Sequence, residues 1–167
     1  MISKILGETK AMTQVLNKLG GDHIQIIVVE NKTNHLVEVN ETFAFGGTWK
    51  DHFKNLKKGE LCMVGTECTA TQLSNYGVIS YLVPGIAYVG LFWYKSKNPF
   101  YDDFLMYHFD GTKQGMDSWS KNTQHHSQSN AGKQSMTQST HNTIVKTING
   151  VKFTIAAGDK PFKLTIG

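Results

Sequence analysis

From Met1 to Leu19 the apolar side chains recur at the spacing of a helix. Placed at about 100° per residue, Met1, Ile2, Ile5, Leu6, Met12, Leu16 and Leu19 fall, with Thr9 and Thr13, within an arc of roughly 140°. Lys4, Glu8, Lys10, Gln14, Asn17 and Lys18 lie outside that arc, and only Ala11 and Val15 break the pattern. Gly20-Gly21 ends the segment, since paired glycines supply a left-handed cap and a flexible joint. Such a helix is about 28 Å long, close to the roughly 30 Å hydrocarbon thickness of a bilayer. The stripe suits either packing on the domain or lying in a lipid interface, because both need one apolar face.

After the double glycine the period changes to that of short strands. Segments 24–30, 36–45, 60–64, 77–83, 86–94 and 104–109 are rich in β-branched and aromatic residues and are separated by turn signals such as Pro84-Gly85 and Asp110-Gly111. Toward the end, 143–148, an Asn149-Gly150 turn, 151–156 and 162–166 repeat the theme, and Asn-Gly is the strongest short hairpin signal. Between them lies a polar stretch, Thr112 to Asn142, whose large apolar side chains are Met116, Trp119 and Met136. It is predicted as loops with short helical turns held against the sandwich edge. The prediction for 1–167 is one mainly β domain. It consists of a β-sandwich of two antiparallel sheets over 22–167, flanked by the amphipathic helix over 1–19 and with room for a second short helix.

Length and composition agree with one globular domain: 167 residues, 40% apolar and 18% charged, with 16 Gly and 3 Pro. The formal charge is +4, and all 17 basic residues are lysines. Without arginine, the planar fork that reads guanine and clamps phosphate is missing, so the charge argues for an anionic or membrane surface rather than nucleic acid. Two cysteines, Cys62 and Cys68, are too few for a disulfide framework, and buried or spare thiols are expected. The chain has no apolar run of spanning length, and its N-terminus lacks the pattern of a signal peptide. The sequons at Asn31 and Asn40 are compatible with secretion of a processed form.

Candidate chemistry is sparse. His108, His125-His126 and His141 gather around the polar stretch but have no companion thiolate or carboxylate at ligand spacing, so no metal site is expected. No phosphate cradle or nucleophile elbow is present, and Asp102-Asp103 supplies no acid, base and nucleophile together. An enzyme and a cofactor are therefore not expected. The aromatic run is more informative: Phe92, Trp93, Tyr94, Phe100, Tyr101, Phe104, Tyr107 and Phe109 place eight rings in eighteen residues. Strand alternation sends half of them to the core. Those around Pro99 to Phe104, flanked by lysines, have the composition that partitions into a lipid interface or stacks on a sugar.

Taken in order, these features resemble the actinoporins, pore-forming toxins of sea anemones, and the wider superfamily that includes fungal fruit-body lectins. The resemblance is carried by the helix leading into Ile24 to Glu30, the Gly46-Gly47-Thr48 turn, Lys58-Gly59-Glu60-Leu61, Tyr76-Gly77-Val78-Ile79-Ser80-Tyr81, and Asn98-Pro99-Phe100-Tyr101-Asp102. It implies a β-sandwich that is a monomer in solution, binds sphingomyelin or another phosphocholine lipid, oligomerises on the membrane and inserts its N-terminal helix. Ile2, Ile5, Leu6, Met12, Leu16 and Leu19 would then face lipid, and Lys4, Glu8, Lys10 and Lys18 would line a pore. Tyr76, Pro99, Phe100, Tyr101, Phe104 and Trp119 would wall the headgroup or glycan site. The family's serine turn carries Gly46 here, and its tyrosine-rich helix matches Met116-Asp117-Ser118-Trp119, a reduced cage that suits a different lipid or a glycan. The toxin branch implies secretion and action on a target-cell membrane. The lectin branch implies a sugar-binding, non-lytic and cytoplasmic protein.

Overall fold

The computed structural model describes residues 24–68, 71, 74–97, 104–126, 143–157 and 161–167. The predicted helix over 1–19 and its double glycine lie outside the described residues. Among the described residues there are ten strands and one helix: β1 (Gln25–Asn31), β2 (Glu38–Gly46), β3 (Thr48–Lys50), β4 (Leu61–Glu67), β5 (Ser74–Val83), β6 (Ala87–Ser96), β7 (Phe104–Asp110), α1 (Lys113–His126), β8 (Thr143–Ile148), β9 (Val151–Ala157) and β10 (Phe162–Ile166). They form a six-stranded sheet ordered β3-β4-β1-β10-β9-β8 and a four-stranded sheet ordered β2-β5-β6-β7. The chain is thus a two-sheet, mainly β fold, as the alternation predicts.

One pair corrects the expectation of two antiparallel sheets. β1 and β10 run parallel, in register from Ile27 opposite Phe162 to Asn31 opposite Ile166, so the six-stranded sheet is mixed. Alternation fixes which face a residue takes and carries no information on strand direction. The local trace of the parallel pair is that all seven residues of β1 are buried, the pattern of a strand covered on both faces.

The two sheets close over a core that includes Ile27, Val29, Leu56, Ile79, Tyr81, Trp93, Phe153 and Leu164, all buried. Trp93 is its largest fully buried side chain, with the Trp49 ring centroid at 5.2 Å and Phe53 at 6.1 Å. The β8–β9 hairpin turns at Asn149 and Gly150, both with positive φ, the conformation that a two-residue Asn-Gly turn requires. Cys62 and Cys68 are buried and not joined in a disulfide, and burial pushes the Cys62 thiol above its ordinary value. The sequon asparagine Asn31 is fully buried and its amide nitrogen donates to the His35 and Leu56 carbonyls, at 2.7 and 2.9 Å. A glycan there would require the fold to open. Among the described residues no helix is long and apolar enough to cross a membrane.

The polar stretch departs most from expectation. In place of loops and short turns, its first part is a fourteen-residue helix. Thr112 caps it, its Oγ1 accepting the Gly115 amide at 3.1 Å, three residues on, as an N-cap does. The buried stripe runs Met116, Ser120, Thr123, with Trp119 beside it. Two of those three buried positions are small and polar, which hides the stripe from a count of apolar residues.

Candidate functional site

Strand register assembles an aromatic surface on the side of the four-stranded sheet that faces away from the core. Across it run Tyr76 opposite Tyr94, Val78 opposite Phe92, and Ser80 opposite Gly90 on β5 and β6. On β7, Phe104, Met106 and His108 stand opposite Tyr94, Phe92 and Gly90. Val78, Phe92, Tyr94 and Met106 form a buried cluster, with Phe43, Tyr76 and Trp119 half-buried against it. Tyr76 and Tyr94 lie 5.9 Å apart, and Tyr76 meets Phe92 edge-on at 6.5 Å.

Helix α1 lies across the other end of this surface. Gly90 makes the close approach possible: a Cβ there would stand 2.5 Å from Trp119 Cζ3 and 2.8 Å from Met116 Sδ. The Trp119 indole stacks on the His108 ring, 5.4 Å between centroids and 15° between planes. Polar contacts tie down the start of the helix. Asp110 Oδ1 accepts from the Thr112 amide and hydroxyl, and its Oδ2 meets His108 Nε2 at 3.1 Å. Asp117 accepts from Asn40 Nδ2 and Lys113 Nζ at 2.9 Å each, and the same Asn40 nitrogen reaches Ser80 Oγ.

These contacts set the charge states. The backbone amide of Thr112, aided by His108, holds Asp110 below its ordinary value. Burial raises Asp117, but hydrogen bonds from Lys113 and Asn40 outweigh it and leave the carboxyl low. Glu41 is raised, first by burial and then by the nearby Asp117 charge. The signs oppose. The depressed aspartates contribute stability that is present above their unfolded value, about 3.9, and lost as pH falls through their folded values. The raised Glu41 contributes stability that is present at low pH and lost as pH rises through its folded value. Two depressed groups against one raised group predict that α1 loosens below about pH 4. The Trp119 near-ultraviolet circular dichroism band should fade there before the β-sheet signal does. A band that persists until global unfolding would contradict this.

Two of the sequence-predicted wall residues, Tyr76 and Trp119, thus meet on one sheet face. They do not form one cage: Tyr94 and Gly90, which mark their rows, are four residues apart on β6, roughly 13 Å. Phe104 begins β7 in the Tyr76 row. Pro99, Phe100 and Tyr101 lie outside the described residues, as do all ten lipid-facing and pore-lining residues of 1–19. Sequence reasoning missed Phe43 and Gly90, which join the surface only through strand register, and took His108 for part of a histidine cluster. Among the described residues no group of His, Cys, Asp and Glu is placed to hold a metal.

A second feature marks the β2–β3 turn. Gly47 has φ +90, and a Cβ there would come within 2.7 Å of the Glu67 carbonyl and 3.0 Å of Asn75 Oδ1. Asn75 is buried and donates through Nδ2 to Thr66 Oγ1 at 2.7 Å, while its Oδ1 makes no hydrogen bond. The indole nitrogens of Trp49 and Trp93 are likewise buried without one. These groups are sealed inside the sandwich, so they belong to its packing rather than to an accessible surface.

No protein-family model matches the sequence, and no curated protein matches it. Among solved structures the chain is similar to the lipid-binding protein Nakanori, with a TM-score of 0.71 and 14% identity over 98% of this chain and 78% of that one. It is also similar to the Xerocomus chrysenteron lectin XCL, with a TM-score of 0.50 and 10% identity over 86% of this chain and 97% of that one. At such identities the likeness is one of fold: the chain has the two-sheet architecture found in a lipid-binding protein and in a lectin.

Proposed function

We propose that this protein is a membrane-binding, pore-forming cytolysin without enzymatic activity. It is secreted as a monomer, binds lipid headgroups, oligomerises on the target membrane and inserts the amphipathic segment 1–19. The observation that carries the reading is the aromatic face of the four-stranded sheet, with half-buried Tyr76 beside Tyr94 at one end, buried Phe92 between, and half-buried Trp119 of α1 at the other. Aromatic rings with polar tips anchor at the lipid interface and form cages for the quaternary ammonium of choline, which suits sphingomyelin or another phosphocholine lipid. The fold shared with Nakanori, a lipid-binding protein, supports the headgroup step. The wheel of residues 1–19, with Lys4, Glu8, Lys10 and Lys18 on its polar arc, supports the insertion step.

A second reading, a sugar-binding lectin without lytic activity, is favoured by the likeness to XCL. Dye release from liposomes with and without sphingomyelin separates the two. The full chain should release dye in a lipid-dependent manner, and a chain of residues 20–167 should bind the same liposomes without release. Absence of release from every lipid, with the shorter chain folded, would overturn the cytolysin reading and send the protein to a glycan array.

A further inference from the structure

β7 and β8 are the terminal strands of their sheets, and the space between them is open. On β8, Ile144, Lys146 and Ile148 stand opposite Ile155, Phe153 and Val151, which are all buried core residues. The row that faces inward thus reads Ile, Lys, Ile, and a lysine occupies the position where the alternation calls for an apolar side chain. Its Nζ lies 5.0 Å from the centre of the Phe109 ring. Among the described residues it meets no carboxylate. The nearby Asp110 is already engaged by Thr112 and His108.

A lysine turned inward on an edge strand deters pairing with another chain. That role does not account for the space on either side of it. One cavity of about 290 Å³ is walled by Ile86, Phe109, Asp110, Lys146 and Ile148. A second, of about 350 Å³, is walled by Tyr107, His108, Ile144, Val145 and again Phe109 and Lys146. The two share Phe109 and Lys146, and Val145 on the rim is 55% exposed, the most exposed large apolar residue among those described. An open cleft with Phe109, Ile144 and Ile148 as its apolar walls and the exposed Lys146 shared by both cavities is complementary to a molecule with an apolar body and a negative charge.

We propose that the β7–β8 cleft binds an anionic amphiphile, with its carboxylate or phosphate on Lys146 Nζ and its apolar part against Phe109, Ile144 and Ile148. The site lies along the β7–β8 edge and touches the outward aromatic face only through His108, so its failure and that of the pore reading can be told apart. A fatty acid free in solution and the headgroup region of an anionic lipid share this chemistry. Decanoate, 1-decanol and phosphatidylserine-containing phosphatidylcholine vesicles distinguish them.

The full chain should bind decanoate saturably and more tightly than decanol, with nuclear magnetic resonance shifts at the Ile144 and Ile148 methyls. Lys146→Met should weaken decanoate about tenfold, the scale of one charge-assisted contact, and leave decanol unchanged. Lys146→Arg should retain binding, which separates charge from folding. If Lys146→Met also lowers binding to phosphatidylserine vesicles, the natural source is a membrane lipid. If only decanoate suffers, it is a free amphiphile. Equal binding of decanoate and decanol by the unmodified chain, decanoate binding unchanged in Lys146→Met, or shifts confined to the Tyr76 face would each overturn the proposal.

Discussion

Replacing Trp93 by alanine is expected to lower stability by roughly 3–5 kcal/mol, a large share of the total for a domain of this size. The side chain is fully buried on β6, an internal strand of the four-stranded sheet. It fills the space between Trp49 and Phe53, and its Cζ2 lies 2.7 Å from where a Cβ on Gly77 would stand. Two rings and a glycine backbone are therefore fitted around one side chain. Removing it leaves a cavity that the neighbours, held by both sheets, can collapse into only in part. Urea unfolding followed by far-ultraviolet circular dichroism measures the cost. A loss under about 1 kcal/mol would mean that the core repacks freely and that this aromatic junction is not where the sheets are joined. Because the indole nitrogen makes no hydrogen bond, Trp93→Phe removes no buried partner and should cost distinctly less than alanine.

Much of this architecture is legible in the chain because a period of two leaves a strong mark. Segments 143–148 and 162–166 are β8 and β10 as predicted, and the Asn149-Gly150 turn sits between the strands it was expected to join. Alternation on β6 sends Leu91 and Trp93 to the core and Phe92 and Tyr94 to the other face, as half of the aromatic run required. What escapes is long-range or short. β3 has three residues, too few for an alternation to register. The parallel meeting of β1 and β10 joins residues 135 positions apart, and beyond the unbroken burial of β1 nothing local encodes it. α1 hides because Ser120 and Thr123 occupy the stripe where apolar residues are counted.

The candidate site divides in the same way. Tyr76 and Trp119 could be named from the family resemblance, and the structure puts both on one face. Gly90 could not. A glycine inside a strand pattern announces either a bulge or a close approach, and only the register that brings α1 over β6 says which. Lys146 is the converse case. It breaks an apolar row in plain view, yet its meaning depends on the cavities and the Phe109 ring across the sheets.

Gly90→Val tests whether the seat of α1 belongs to the binding surface. By strand propensity alone the substitution should be favourable, since valine suits a β-strand better than glycine does. The contacts reverse the sign. The new Cβ would stand 2.5 Å from Trp119 Cζ3 and 2.8 Å from Met116 Sδ, and its two methyls reach further, so Trp119 and Met116 must lift together. The expected cost is roughly 1–3 kcal/mol, with loss of the near-ultraviolet signal of the Trp119–His108 stack. Binding of the folded protein to sphingomyelin vesicles should fall by about tenfold, which is 1.4 kcal/mol, because the indole leaves the surface. Thr147→Val, on exposed β8, adds the same side chain away from this surface and should leave binding unchanged. If Gly90→Val loses stability but binds as before, the headgroup site lies wholly at the Tyr76 end of the sheet. Trp119 would then be a clamp for the helix and no part of the wall.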